Sequence, residues 1–304
     1  MKIRFTPFLF ILALLISSCA QSPTPQQAIT LTDGLGRSVT LAQPAQRVIS
    51  LAASNTEMLF ALGAGGQVIA RDSFSDYPQA ALALPDIGGG FGDYDLERIA
   101  ALKPDLVLAA QLNTPAQVQA LQDLGLTVYY LANPNDLEDM FAMLTTVATL
   151  TGHQSEAETL VKDLRARVKL VEQALASADD RPLVYYELDA SDPAKPFTPG
   201  KGTFYSAIIA AAGGLNLGEE LDAQWAQIGL ETLLVRDPQF ILLGDALWGV
   251  TAESVAARSG WDQLTAVKEG RVLPVDDNLL SRPGPRQVDG LEVLARLIHP
   301  ELFK

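Results

Sequence analysis

Two stretches decide the reading of this chain: DLERIAALKPDLVLA (Asp95–Ala109) and GLETLLVRDPQFILL (Gly229–Leu243). Each contains Leu-Glu, two amphipathic turns, a proline seven residues after the glutamate (Pro104 and Pro238) and a short apolar strand. An aromatic residue stands six positions before each glutamate, Phe91 before Glu97 and Trp225 before Glu231. The unit thus occurs once in each half, about 134 residues apart. That period is too long for a solenoid and suits two pseudo-equivalent lobes.

The surrounding sequence supports that reading. Ile29–Thr32 and Ser38–Leu41 alternate apolar and polar residues around Asp33–Gly34–Leu35–Gly36, which predicts a hairpin. Arg47–Leu51 reads as a buried strand. Ser54–Asn55–Thr56–Glu57 has the pattern of a capping box opening a helix through Leu62, with Gly63 closing it. Strands at 67–70, 105–109 and 127–131 alternate with helices at 96–102 and 115–124, the pattern of a parallel sheet covered by helices. A helix at 136–150 precedes a longer one from Ser155 to about Ala178, with Leu160, Leu164, Val168, Val171 and Leu175 at helical spacing. The alternation then restarts with a strand at 183–188, a helix at 204–212 and a last helix at 287–297. The expected fold is α/β, with two Rossmann-like lobes (29–152 and 181–304) joined by a single long interdomain helix (153–180).

Composition bounds the function. The chain has 304 residues, 22 basic against 36 acidic, for a net charge of −14. Such a balance repels phosphate backbones, so no nucleic-acid partner is expected. One cysteine and two histidines, His153 and His299, supply neither a disulfide framework nor a bare transition-metal site. No nucleophile elbow, P-loop or dinucleotide fingerprint occurs, so an enzyme is not expected.

The N-terminus reads as an address. Lys2 and Arg4 precede nine uninterrupted apolar residues, Phe8–Ile16, too few to span a bilayer. Ile16–Ser17–Ser18–Cys19 follows and looks like a bacterial lipobox. Residues 1–18 are then a signal peptide, Cys19 the lipidation site, and 19–28 a polar tether bearing prolines. The expected location is the periplasm or the outer face of the cytoplasmic membrane, anchored by lipid.

Glu97 and Glu231 each fall in the first turn of a helix, where a carboxylate complements the helix dipole. As an equivalent pair on two lobes they also suit docking onto arginines of a partner. Tyr77, Phe91, Phe197 and Trp225 lie in loops rather than on periodic core faces, and flat apolar side chains there suit a large ring-bearing ligand. Asp276–Asp277 reads as a charged cleft lip or a solvated turn. Arg282–Pro283–Gly284–Pro285–Arg286 reads as a rigid lead-in to the last helix, and His299 as a surface residue.

Taken together, Arg47–Leu51 with Ser54–Glu57 and Leu59–Gly63, Ser75–Asp76–Tyr77–Pro78, Leu96–Ile99 with Leu102–Asp105, Phe197–Gly200 and Arg282–Arg286 resemble the periplasmic cobalamin/ferric-siderophore binding family of ABC importers. The similarity covers about residues 46–303. It implies a monomeric substrate-binding lipoprotein that holds its ligand between two lobes and passes it to a permease dimer with ATPase subunits. Glu97 and Glu231 match the family's docking glutamates. Tyr77, Phe91, Phe197 and Trp225 align with aromatics of the cobalamin-binding members, with Phe91 standing where a tryptophan is found. Asp277 aligns with a polar cleft residue. The resemblance implies a transported metal chelate rather than a resident cofactor, a corrinoid foremost. A ferric siderophore met by Arg71 or Arg282, and haem ligated by Tyr77, Tyr94 or Tyr205, are the alternatives. An extracytoplasmic sensor without a transporter would share the fold.

Overall fold

The computed structural model describes residues 1–2, 28–90 and 93–303; Cys19, the rest of the leader and Phe91 lie outside the described residues. The chain opens with the hairpin β1 (Ile29–Thr32) and β2 (Ser38–Leu41), paired antiparallel from Ile29↔Leu41 to Thr32↔Ser38. The first lobe continues with β3 (Val48–Ser50), α1 (Ala53–Ala61), β4 (Val68–Arg71), α2 (Leu96–Ala101), β5 (Leu106–Ala110), α3 (Pro115–Asp123), β6 (Val128–Leu131) and α4 (Leu137–Thr151). After α5 (Gln154–Leu175), the second lobe holds β7 (Leu183–Glu187), β8 (Phe197–Pro199), α6 (Phe204–Ala211), β9 (Leu215–Asn216) and β10 (Trp225–Gln227). It ends with α7 (Leu230–Arg236), β11 (Phe240–Leu243), α8 (Ala252–Ala256), α9 (Thr265–Lys268), β12 (Val272–Pro274) and α10 (Gln287–Ile298).

The two main sheets are wound identically. The first has strand order β4-β3-β5-β6 and the second β12-β11-β7-β9, with every pairing parallel. Numbered within its own lobe, each sheet reads 2-1-3-4. The repeated Leu-Glu segment supplies the helix before the third strand in both, α2 before β5 and α7 before β11. The correspondence reaches backbone detail. Lys103 and Asp237, one residue before the repeated prolines, are the non-glycine residues with positive φ among the described residues, at 47° and 45°. Both helices therefore end on a left-handed residue, and the proline that follows prevents the helix from continuing.

Helix α5 is the shared element. Its 22 residues extend about 33 Å at ~1.5 Å per residue. Ala157 and Leu164 join the core of the first lobe, whereas Val171 joins that of the second, and Val168 touches both. A single apolar stripe thus covers two cores in succession. Arg167 on the same helix bonds to Asp289 and Glu292 of α10, at 2.5 and 2.8 Å.

Two expectations are corrected. The capping box is not used: α1 starts at Ala53, its N-cap is Ala52, and no side chain caps it. The hydroxyl of Thr56 instead bonds to Ser50 and Ser75 at 2.8 and 2.6 Å, and Glu57 turns into the molecule toward arginines. His299 is buried rather than on the surface, because it packs over Gly213, with its Nε2 3.3 Å from the Gly213 carbonyl oxygen.

The repeated left-handed residues carry a prediction. A side chain in that region costs about 1–2 kcal/mol relative to glycine. Lys103→Gly should therefore stabilise the protein by up to ~1 kcal/mol in urea unfolding. Asp237→Gly should not, because the Asp237 carboxylate accepts from the Thr265 backbone N–H at 2.7 Å and its hydroxyl at 2.6 Å. A gain from both variants would refute the idea that Asp237 is kept for its bonds to Thr265.

Candidate ligand-binding cleft

In each sheet the chain runs so that the carboxyl ends of the strands face the other lobe, the place where open α/β sheets present ligand sites. The residues following β3, β4, β5 and β6 (Ser54, Asp72 and Phe74, Gln111 and Leu112, Asn133) line one wall of a cavity of about 730 Å³. Residues following β7, β11 and β12 (Leu188, Leu247 and Trp248, Asp277, Asn278 and Ser281 to Pro283) line the other, with Phe204, Tyr205 and Trp225.

The second wall is aromatic. The Trp225 ring meets those of Tyr205 and Phe204 edge-on, with centroids 5.9 and 6.3 Å away, and Tyr205 stacks on Phe204 at 5.0 Å. Trp225 sits on a two-stranded ribbon of β10 against β8, opposite Pro199. Its buried neighbours Ala226 and Thr198 face inward, so Trp225 and Phe197 share the outward face. Trp248 is 76% exposed, and Leu112, Leu247 and Phe74 are also exposed apolar groups around the opening. The glycine run 88–90 lets Phe74 stand there: a Cβ on Gly90 would come 2.5 Å from its ring.

Two carboxylates reach this cavity, one from each lobe. Asp277 accepts from the Tyr186 and Tyr205 hydroxyls at 2.7 and 2.8 Å, both on Oδ1. Burial pushes its carboxyl above the ordinary carboxylate range, although the hydroxyl donors oppose the shift. Burial raises Asp72 likewise, against hydrogen bonds from the Ser75 hydroxyl and the Phe74 N–H. Those same environments push the Tyr186 and Tyr205 phenols well above their ordinary values, through burial first and the Asp277 charge second.

Beside the cavity lies a charge cluster that joins the lobes. Glu57 of α1 is 1% exposed. Arg286 grips it in a fork, with Nε and Nη2 at 2.8 and 2.6 Å, and Arg282 adds a third bond at 3.1 Å. Arg282 also holds Asp76 at 2.6 Å, and the Arg286 guanidinium covers the Tyr77 ring 4.1 Å from its centroid. Two arginines face two carboxylates, so the cluster is neutral. Removing one partner of a buried pair of this kind costs about 3–5 kcal/mol.

A second buried cluster underlies Leu247 and Trp248. Arg258 forks onto Glu187 at 2.6 and 2.8 Å, and the Tyr185 hydroxyl donates to Glu187 at 3.3 Å. Asp245 accepts from the Ala190 N–H at 3.2 Å, and its Oδ1 is buried without a hydrogen bond. Burial, and then the Glu187 charge, push the Asp245 carboxyl up to about 7.

Of the residues singled out in the sequence, Tyr205, Trp225, Asp277 and Arg282 line the cavity together. Tyr77 and Phe197 are half-exposed near it but not in its lining, and Phe91 lies outside the described residues. Arg71 is buried, bonded to the Ala81 and Asp72 carbonyls and to Asp86. Tyr94 donates to the Leu51 carbonyl and accepts from Asn113, both at 2.7 Å. Glu97 and Glu231 are exposed in the first turns of α2 and α7, and neither forms an ion pair among the described residues. Because α2 and α7 precede their strands antiparallel to them, these first turns lie on the cleft side of each sheet. Asp72, Leu247 and Trp248 carried no signal in the sequence, since one acid after a strand and one Leu-Trp pair have no periodic context. Glu57 reads as part of a cap in the sequence but is drawn to the arginines instead.

Two lobes of identical winding, one connecting helix and an aromatic interlobe cavity define a protein built to hold a ligand between its halves. The chain belongs to the periplasmic binding protein family, whose description matches residues 48–279. Members of that family are substrate-binding proteins. The chain is 30% identical over 292 residues to an uncharacterized ABC transporter substrate-binding lipoprotein of Bacillus subtilis (strain 168), covering 94% of this chain and 90% of that one. It is 33% identical over 245 residues to a vitamin B12-binding protein of Pectobacterium atrosepticum, covering 79% and 84%. The crystal structure of the periplasmic vitamin B12 binding protein of Vibrio cholerae superposes with a TM-score of 0.73 at 26% identity, covering 86% of this chain and 99% of that one.

The Asp245 cluster predicts a pH effect of definite sign. Its folded carboxyl titrates at about 7 and its unfolded one near 3.8, so between these values the folded state holds the extra proton. The stability it contributes is full below about pH 4 and is lost as pH rises through about 7. Asp245→Asn, which mimics the protonated form, should flatten this part of the stability profile in urea titrations at pH 4.5–8. An unchanged slope in the variant would exclude Asp245 as its source.

Proposed function

We propose that this chain is the substrate-binding lipoprotein of an ABC importer and that its cargo is a corrinoid. The observation that carries this reading is the interlobe cavity, with a continuous wall of Phe204, Tyr205 and Trp225 facing polar groups of the other lobe. Flat aromatic walls with a few polar groups suit a large planar macrocycle with amide side chains. The names of the Pectobacterium and Vibrio relatives support the same cargo. Trp225 and Asp277 are the central contacts in this reading. Tyr77, Phe91 and Phe197 are its outer ring, reached once a ligand extends beyond the cavity.

The rest of the assignment follows. Cys19 carries the lipid, residues 1–18 are removed, and 19–28 tether the lobes, divided at 29–152, 153–180 and 181–304. The monomer docks by Glu97 and Glu231, on the cleft side of the two sheets, onto a permease dimer with its ATPase subunits. Two carboxylates set on equivalent frames match two equivalent arginine-bearing surfaces.

Tryptophan fluorescence tests the cargo. Cyanocobalamin should quench the purified protein saturably, with a submicromolar midpoint after correction for absorbance, and Trp225→Ala should weaken binding by about ten-fold or more. A response to haemin or a ferric hydroxamate alone would move the cargo to haem or iron.

Docking is tested separately in cells. The double variant Glu97→Lys/Glu231→Lys should abolish cobalamin uptake while leaving in vitro affinity within about two-fold, and Cys19→Ala should release the protein from the membrane fraction. Undiminished uptake by the double variant would remove the docking role and favour a sensor that works without a transporter.

A further inference from the structure

We infer that the cleft selects its cargo by charge, admitting neutral or cationic chelates that present N–H donors and rejecting anionic ones, with Asp72 and Asp277 as the selecting residues. This rests on the reading of the interlobe cavity as the ligand site.

Among the described residues, three charged side chains line the cavity: Asp72, Asp277 and Arg282. The arginine's charge is already shared between two carboxylates, since its Nη1 bonds to both Glu57 and Asp76. With Arg286 these groups form a balanced set of two cations and two anions. Turning Arg282 toward an incoming anion would strip a bond from Glu57, which is 1% exposed and has no water to replace it. Arg71 stands behind Asp72, but it is buried, paired with Asp86 at 3.3 Å, and gives its Nη1 to the Asp72 carbonyl. Asp276, next to Asp277, is exposed and adds negative charge on that side. Arg282 and Arg71 offset part of the Asp72 charge, but the groups around the cavity stay net negative, and the carboxylates that reach it are Asp72 and Asp277, one from each lobe.

An anionic group entering between them loses its hydration and meets repulsion from both walls. A primary amide or ammonium group can donate to either carboxylate in a charge-assisted bond. The hydroxyl donors on Asp277, Tyr186 and Tyr205, hold that carboxylate in place so that it need not reorganise when the ligand arrives.

The test compares ligands that differ in charge on one scaffold. The first pair is cyanocobalamin and its monocarboxylate, in which one side-chain amide is hydrolysed. The second is cationic ferrioxamine B and its anionic N-succinyl derivative. Affinities are measured with the purified protein at low and at 0.5 M salt. On whichever scaffold binds, the anionic member should bind at least about ten-fold more weakly at low salt, and high salt should narrow the gap. Asp72→Asn should narrow it several-fold, because it removes the repulsion of the anionic member and the charge-assisted bond to the neutral one together. Asp277→Asn is the second variant, checked for folding by its unfolding midpoint, and should act in the same direction. Equal or tighter binding of the anionic member, or a gap untouched in both variants, overturns the inference while leaving the ligand site intact. Binding of neither scaffold, with haemin also silent, overturns the chelate reading and this inference with it.

Discussion

A carboxylate taken out of water must be paired, and Glu57 finds both of its partners in the other lobe. It projects from α1, while Arg282 and Arg286 flank the Pro-Gly-Pro turn that leads into α10. That turn is stiff because its prolines fix the backbone, so the two guanidiniums arrive in a set geometry. Gly284 between them lies against α1, where a Cβ would make ordinary contact with Met58 at 3.6 Å. The Asp76–Tyr77 loop is then held against the same arginines by one ion pair and one ring face. Much of the cleft follows from this arrangement. The wall of the first lobe is registered against that of the second, and the arginine at the cavity is neutralised before any ligand enters.

The lobes themselves are a duplicated solution to one packing problem. Each buries a four-stranded parallel sheet of order 2-1-3-4 whose strands are continuously apolar, as β5 and β11 show with every residue buried. Winding both in the same sense turns two sets of strand carboxyl ends toward each other. It also places Glu97 and Glu231 at corresponding points, as Lys103 and Asp237 confirm through their shared backbone conformation. The departures from equivalence are informative. Asp237 bonds to Thr265 where Lys103 makes no matching side-chain bond, and α7 is longer than α2 by one residue.

Much of the fold was legible because it is written in periodic signals. The repeat around Glu97 and Glu231, the alternating hairpin and the long stripe of α5 each depend on neighbours close in sequence. Element limits read from them fall within a few residues of those observed: 96–102 against Leu96–Ala101, and 287–297 against Gln287–Ile298. The site was less legible because its chemistry is assembled across more than 200 residues. Ser-Asn-Thr-Glu satisfies the local rule for a cap, but the far arginines compete for Glu57 and win, since a buried ion pair outweighs an exposed cap. The Arg282–Arg286 segment reads as a rigid lead-in to the last helix, which it is, yet its role as a clamp on Glu57 needs α1 beside it. Trp225 stood out through its place in the repeat, whereas Trp248 had no such marker. His299 read as exposed because only Gly213, lacking a side chain, makes room for it.

The number and placement of interlobe ties bear on how the cleft works. One helix alone would let the lobes rock about its axis. Here α5 is fastened to α10 through Arg167, apolar residues such as Leu137 and Val168 belong to both cores, and the Glu57 cluster ties the lobes beside the cavity. Opening the cleft widely would have to break buried ion pairs and expose shared apolar surface together, and each of these is costly alone. The cavity is therefore held near its ligand-ready shape. Binding energy then goes into contacts rather than into closure, which favours a ligand that is itself large and rigid. Motion that does occur is expected where the ties are weakest, at the exposed Asp76–Arg282 bond and the solvent-facing Leu247–Trp248 turn, both at the edge of the opening.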